Sequence, residues 1–124
     1  MTVALLFSPQ GSQAVGMGRD LAEAWPAAAA VYAEADAALG WPVSAVAWTG
    51  PQERLNQTQQ TQPCLVTTSL ACLAALRAGA AHSGMAVAPA FVAGHSVGEY
   101  AALVAAGVLS VPDALRVVAR RGEL

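Results

Sequence analysis

The chain has 124 residues, of which 56 % are hydrophobic and 11 % charged, and a formal charge of −2. That length suits one small domain, and the apolar, charge-poor composition excludes a disordered chain and fits a buried α/β unit. With no basic run anywhere, neither nucleic acid nor an anionic membrane surface is an expected partner.

In chain order, Val3–Phe7 is a short apolar run closed by Pro9 and Gly11, which predicts a buried strand. No basic segment precedes it, so no signal peptide is expected. Ser8 to Gly18 carries Gly11, Gly16 and Gly18 and predicts a loop. Arg19–Ala24 and Pro26–Leu39 predict helices, the second stopped by Gly40. From Trp41 to Gln60 the breakers Pro42, Gly50 and Pro51 leave room only for short helical turns. A long helix is expected from near Thr61, because Pro63 is tolerated in a first turn, and Gly79 is expected to end it. Leu65, Leu70, Leu73 and Leu76 form its expected buried stripe. Cys64 and Cys72 lie on this helix without metal-ligand company and read as small, reduced core residues. Thr67, Thr68, Ser69 and Arg77 interrupt its apolar run, so no bilayer crossing is expected and the compartment reads as cytoplasmic. Trp25, Trp41 and Trp48 read as packing residues.

Ala90–Ala93 predicts a second buried strand, running into Gly94-His95-Ser96-Val97-Gly98 and then a helix from Val97 to about Ala106, ended by Gly107. Ser110 and Asp113 resemble a capping pair for a last helix, Val111–Arg121. The order of strand, helices, strand, helices implies a parallel sheet with crossover helices. Parallel sheets normally need more than two strands, covered on both faces. Residues 1–124 are therefore expected to be one part of a single larger domain whose other strands lie elsewhere.

Gly94-x-Ser96-x-Gly98 sits between a predicted strand and a predicted helix, the setting that a nucleophile elbow requires. Such a turn leaves no room for side chains beside the serine and lifts its hydroxyl over the strand ends. The helix N-terminus behind it offers unpaired N–H groups to a developing oxyanion, that of Val97 first. A second reading of the same residues is a capping box, in which Ser96 caps the helix and Glu99 reaches back. Serine also needs a base, and the chain has two histidines. His95 adjoins Ser96 and should project away from its hydroxyl, while His82 reads as a solvated surface residue. Neither serves as the base.

Four segments together resemble one family, the malonyl-CoA:acyl-carrier-protein transacylases of fatty acid synthesis. Phe7-Ser8-Pro9-Gln10-Gly11-Ser12-Gln13, then Val15-Gly16-Met17-Gly18, resembles the family's opening Phe-Pro-Gly-Gln-Gly-Ser-Gln loop. Thr58 with Thr61-Gln62-Pro63-Cys64-Leu65 resembles its Thr-x-x-Thr-Gln-Pro-Ala-Leu helix start. Gly94-His95-Ser96-Val97-Gly98-Glu99-Tyr100 resembles its elbow, and Ala119-Arg120-Arg121-Gly122 its Arg-Gly segment. Tyr100 looks like the discrete fatty-acid enzymes rather than polyketide synthase acyltransferase domains.

The resemblance implies an α/β-hydrolase-like parallel sheet, cut before a ferredoxin-like subdomain. It implies Ser96 as the residue that becomes malonylated, the backbone N–H groups of Gln10 and Val97 as the oxyanion hole, and Arg121 as the holder of the malonyl carboxylate. A planar guanidinium suits that task because it grips a carboxylate through two parallel hydrogen bonds. Malonyl-CoA and acyl carrier protein are the implied partners, a coenzyme A thioester is the substrate, and no bound cofactor or metal is implied. The family's base is a downstream histidine beyond this chain, so the chain by itself is expected to be inactive. A cation at a helix C-terminus would also account for Arg121. A serine esterase of the α/β-hydrolase type shares the elbow but has no need of the Gln10 loop or Arg121, and a polyketide-type acyltransferase is the nearest enzyme alternative. A non-catalytic interaction module would keep the fold without the chemistry.

One departure concerns the oxyanion loop, where Ser8-Pro9 replaces the family's Pro-Gly. Proline forbids backbone angles that glycine allows and so redirects the chain entering Gln10. Pro9→Gly is expected to change the transfer rate of an enzyme containing this segment; an unchanged rate would show that the loop is not perturbed.

Overall fold

Two four-residue strands, β1 (Ala4–Phe7) and β2 (Phe91–Gly94), pair in parallel with Ala4 opposite Phe91 and Phe7 opposite Gly94. This computed structural model describes residues 2–124; Met1, which begins the segment read as carrying no leader, lies outside them. Between the strands come α1 (Arg19–Ala24), α2 (Pro26–Leu39), α3 (Val43–Thr49), α4 (Gln52–Leu55) and α5 (Thr58–His82). After them come α6 (Gly98–Ala105) and α7 (Val111–Glu123). The result is a small parallel sheet with many helices, as the element order implied. Because paired parallel strands both end at the same side, the loop after β1 and the elbow after β2 emerge together there.

The core lies between helices more than on the sheet. α5 packs against α2, α3 and α7, and α6 packs on both strands. Alanine lets these helices approach closely: Ala28, Ala35, Ala47, Ala71, Ala101 and Ala114 are all fully or almost fully buried. Tyr32, Leu55, Val66 and Leu115 supply the bulk between them. The three tryptophans, Trp25, Trp41 and Trp48, pack partly buried against this core, as expected.

Several expectations need correction. The strands are covered on one face only: Leu5, Phe7 and Val92 turn toward the core, whereas Leu6 is 80 % and Phe91 71 % exposed. An unbroken apolar run cannot reveal this, because alternation is visible only when the outer face is polar. α5 starts earlier and ends later than expected. Its first turn is anchored by the Gln57 carbonyl, which accepts from the Gln60 and Thr61 N–H groups, and by the Thr61 hydroxyl, which donates to the Leu55 and Gln57 carbonyls. Pro63 therefore lies inside the helix rather than in its first turn. Gly79 does not stop the helix; it lies inside it beside the Trp25 ring, where an added Cβ would make ordinary contact at 3.4 Å. Leu76 is 51 % exposed and leaves the buried stripe that Leu65, Leu70 and Leu73 form. α5 has 25 residues and contains an 18-residue stretch of mean hydropathy 1.6, so by length and composition alone it is long and apolar enough to cross a bilayer. Its burial against α2, α3 and α7 instead makes it the central helix of this fold. At α7 only half of the capping pair forms: Ser110 Oγ accepts from the Asp113 N–H at 3.2 Å, while the Asp113 carboxylate pairs with Arg116.

The cysteines also part company. Cys64 is buried, its thiol pushed up to about 12 by desolvation, whereas Cys72 is exposed and not a core residue. The Cys72 thiol is raised too, by desolvation first and by the Asp20 carboxylate second. A disulfide-exchange reagent should therefore titrate one thiol in the native chain and two after denaturation, with Cys72→Ser removing the native signal. Since the thiolate is the reacting form, the native rate should keep climbing as pH rises beyond the range of an ordinary cysteine.

Candidate active site

β2 ends at Gly94, and its ladder continues one residue further, where the His95 N–H donates to the Phe7 carbonyl at 3.2 Å. The chain then reverses through Ser96, whose φ of 56° makes it the one described non-glycine residue with a positive φ. Holding a serine there costs about 1–3 kcal/mol, which the surrounding packing must offset. That packing is tight. A Cβ on Gly94 would lie 2.1 Å from the Gly98 carbonyl carbon, and one on Gly98 would lie 2.4 Å from the Phe7 carbonyl oxygen. Both glycines are thus required by contact between the start of α6 and the ends of both strands.

The capping reading of Ser96 does not hold. α6 has Val97 at its N-cap position with no side-chain cap, and the Glu99 N–H bonds to the Ser96 carbonyl rather than to its hydroxyl. The exposed Ser96 hydroxyl is left for another partner, Arg121, whose Nη2 donates to Ser96 Oγ at 3.1 Å from 25 positions away. Arg121 Nη1 donates to Gln62 Oε1 at 2.8 Å, and the guanidinium carbon sits 5.9 Å from the centre of the Tyr100 ring, within cation–π range. Gly122 is what lets α7 bring Arg121 so close: a Cβ there would meet Gln59 Cα at 2.9 Å. Its neighbour Arg120 points elsewhere and pairs with Glu123.

Gln10 reaches the same place from the loop after β1. Its side-chain Oε1 accepts from Gln62 Nε2 at 3.4 Å, and its Nε2 donates to Thr58 Oγ1 at 3.3 Å. The loop around it is held by Ser12 Oγ donating to the Pro9 carbonyl at 2.9 Å and by Gln13 Nε2 donating to Asn56 Oδ1 at 3.1 Å. Gln10, Ser96, Val97 and Arg121 therefore come together at one end of the sheet. Two further residues join them that sequence reading had assigned no role, Gln62 and Thr58; their only signal was their place in the Thr58…Thr61-Gln62-Pro63 segment. His95 is exposed and lines a different cleft with Leu6, Phe7, Ala93 and Gly94, and His82 lies exposed beside Trp25. Among the described residues no histidine side chain hydrogen-bonds Ser96.

A serine on a strained strand-to-helix turn, faced by an arginine and flanked by a glutamine loop, has the geometry of a nucleophile elbow. The chain belongs to the acyl transferase domain family, which it matches over residues 4–124. Among its relatives it is 49 % identical over 120 residues to the malonyl CoA-acyl carrier protein transacylase of Escherichia coli O157:H7, covering 97 % of this chain and 37 % of that protein. The 1.7 Å crystal structure of an acyl carrier protein S-malonyltransferase from Vibrio cholerae O1 biovar eltor matches with a TM-score of 0.84 at 44 % identity, over 97 % of this chain and 38 % of that one. A malonyl-transacylase solved in complex with its type II PKS acyl-carrier protein matches with a TM-score of 0.87 at 43 % identity, over 99 % of this chain and 38 % of that one. The chain thus spans little more than a third of the length of these relatives.

The elbow contacts make a direct prediction. Gly98→Ala should destabilise the fold by roughly 1–3 kcal/mol or more, because the added carbon meets backbone that cannot yield. Gly79→Ala is the matching control. Its Cβ would sit 3.4 Å from the Trp25 ring, and within a helix the change should be neutral or stabilising by up to about 1 kcal/mol. Denaturant midpoints for the two variants against the parent chain measure both.

Proposed function

We propose that this chain carries the acyl-accepting site of a malonyl-CoA:acyl-carrier-protein transacylase of fatty acid synthesis. The observation that carries the reading is the Arg121 guanidinium 3.1 Å from the Ser96 hydroxyl, a fixed positive charge where a carboxylate-bearing acyl group would be held. Ser96 Oγ attacks the thioester carbonyl of malonyl-CoA, and the developing oxyanion is held by the backbone N–H groups of Gln10 and Val97. These two N–H groups make no hydrogen bond with the described residues, which supports the assignment. The carbon–sulfur bond breaks, coenzyme A leaves as the thiol, and Ser96 carries a malonyl ester. The phosphopantetheine thiol of the carrier protein then attacks that ester, and the serine oxygen leaves and regains its proton.

Both half-reactions need a base that takes a proton and returns it. No described side chain fills that role, and the family resemblance assigns it to a downstream histidine. In this reading residues 1–124 are the first part of one α/β-hydrolase-like acyltransferase domain, continued by further strands and a ferredoxin-like subdomain, and the 124-residue chain alone turns over little substrate. The lengths of the relatives support this. The chemistry needs no bound cofactor, and a coenzyme A thioester is the substrate. The protein would be soluble and cytoplasmic, with acyl carrier protein as its macromolecular partner. A polyketide-type carrier is the nearest alternative acceptor, favoured by the complex of a similar transacylase with such a carrier. A simple esterase acting on neutral acyl groups is disfavoured by Arg121, which would then have no carboxylate to hold.

The test is intact-mass analysis after mixing with malonyl-CoA, on this chain and on one extended through the downstream histidine. A malonyl adduct on the extended chain that Ser96→Ala abolishes is the expected result; no adduct on either chain would overturn the assignment. In the extended chain Arg121→Ala should lower the preference for malonyl over acetyl by roughly 10–100-fold, the scale of one to two charge-assisted hydrogen bonds. The neutral acetyl group would bind about as before.

A further inference from the structure

The geometry points to Gln62 as a positioning residue that sets malonyl selectivity by holding Arg121 in place and tying it to the oxyanion loop. This rests on the malonyl reading above. Gln62 is only 5 % exposed, so its amide must find partners inside the protein. It finds one on each side. Oε1 accepts from Arg121 Nη1 at 2.8 Å, and Nε2 donates to Gln10 Oε1 at 3.4 Å.

The direction of this chain of hydrogen bonds is fixed at one end. A guanidinium has donors and no acceptor, so Gln62 must turn its carbonyl to Arg121. Its amino group is then left for Gln10, whose own amino group is left for Thr58 Oγ1 at 3.3 Å. One ordered run of side chains therefore links α7, α5 and the loop after β1. Arg121 is held at Nη1 by Gln62 while Nη2 rests on Ser96 Oγ. A carboxylate arriving beside Ser96 competes only for the Nη2 side, with Nη1 remaining as the pivot. Neutral acyl groups make no such claim and leave Nη2 on the serine oxygen, where it draws electron density from the nucleophile. Gln62 is suited to the pivot because it accepts without carrying charge, so the full positive charge of Arg121 stays available to the substrate.

Gln62→Glu keeps the shape but neutralises Arg121 and sets a carboxylate oxygen against Gln10 Oε1. Gln62→Met keeps the length and removes the acceptor without adding charge. The experiment measures kcat/KM for malonyl-CoA and for acetyl-CoA on the chain extended through the downstream histidine, with Arg121→Ala alongside. A folding defect would lower both alike, so the ratio of the two constants is the readout. The malonyl preference should fall several-fold in Gln62→Met and at least about tenfold in Gln62→Glu, the scale of one charge-assisted hydrogen bond, with acetyl-CoA turnover little changed. Should Gln62→Glu not fold, the Gln62→Met ratio alone decides. If Arg121→Ala loses the preference but the Gln62 variants keep it, Gln62 is not a positioning residue and the malonyl reading survives. If the extended parent chain shows no preference that Arg121→Ala removes, the malonyl reading fails and this inference with it.

Discussion

Between Gly98 and the carbonyl end of β1 there is no space for a single carbon atom, and the site depends on that closeness. With the Phe7 carbonyl oxygen 2.4 Å from where a Cβ would stand, the first turn of α6 is pressed onto the end of the sheet. Gly94 makes the same approach from the other strand. The residue between them is forced into a left-handed turn, which is why Ser96 has a φ of 56°. The strain is local, and it is offset by the burial of Val97 and Ala101 behind it. A hydroxyl held this way faces outward at the point where both strands end, next to the loop that leaves β1.

Electrostatics completes what the turn begins. Arg121 is half-buried, flanked by the Tyr100 ring, and bonded to two neutral oxygens rather than to a carboxylate. Among the described residues, Arg19, Arg116 and Arg120 each pair with an acidic neighbour one helical turn away. These exposed pairs each contribute at most about 1 kcal/mol. Arg121 is set apart from them by packing: Gly122 seats α7 against the start of α5, and Gln62 on that helix takes the Nη1 side. A cation kept without an anionic partner in a partly buried place is costly unless a substrate's negative charge arrives there.

The small size of the core residues explains how, among the described residues, seven helices fit around two short strands. Alanine at the helix contacts costs no side-chain entropy and allows close approach, and α5 runs through the middle with partners on several sides. The outer face of the sheet remains open, with Leu6 and Phe91 exposed.

Much of this was legible in the sequence. The ranges of α1 and α2 follow from Arg19, Pro26 and Gly40, because breakers and starts act within a turn of where they stand. Gly94-x-Ser96-x-Gly98 marked the elbow, since steric exclusion at a tight turn depends on a few adjacent residues. Arg121 was singled out by resemblance, and its partnership with Ser96 became visible only when α7 folded back. Gln62 had no signal of its own: its importance comes from two hydrogen bonds to residues 59 and 52 positions away. Tertiary packing alone also decided that Cys72 faces out and that one side of the strands is bare. Local sequence sets backbone preferences and steric limits over a few residues. Burial and hydrogen-bond partnership are set by whatever distant segment arrives, and no local pattern records that.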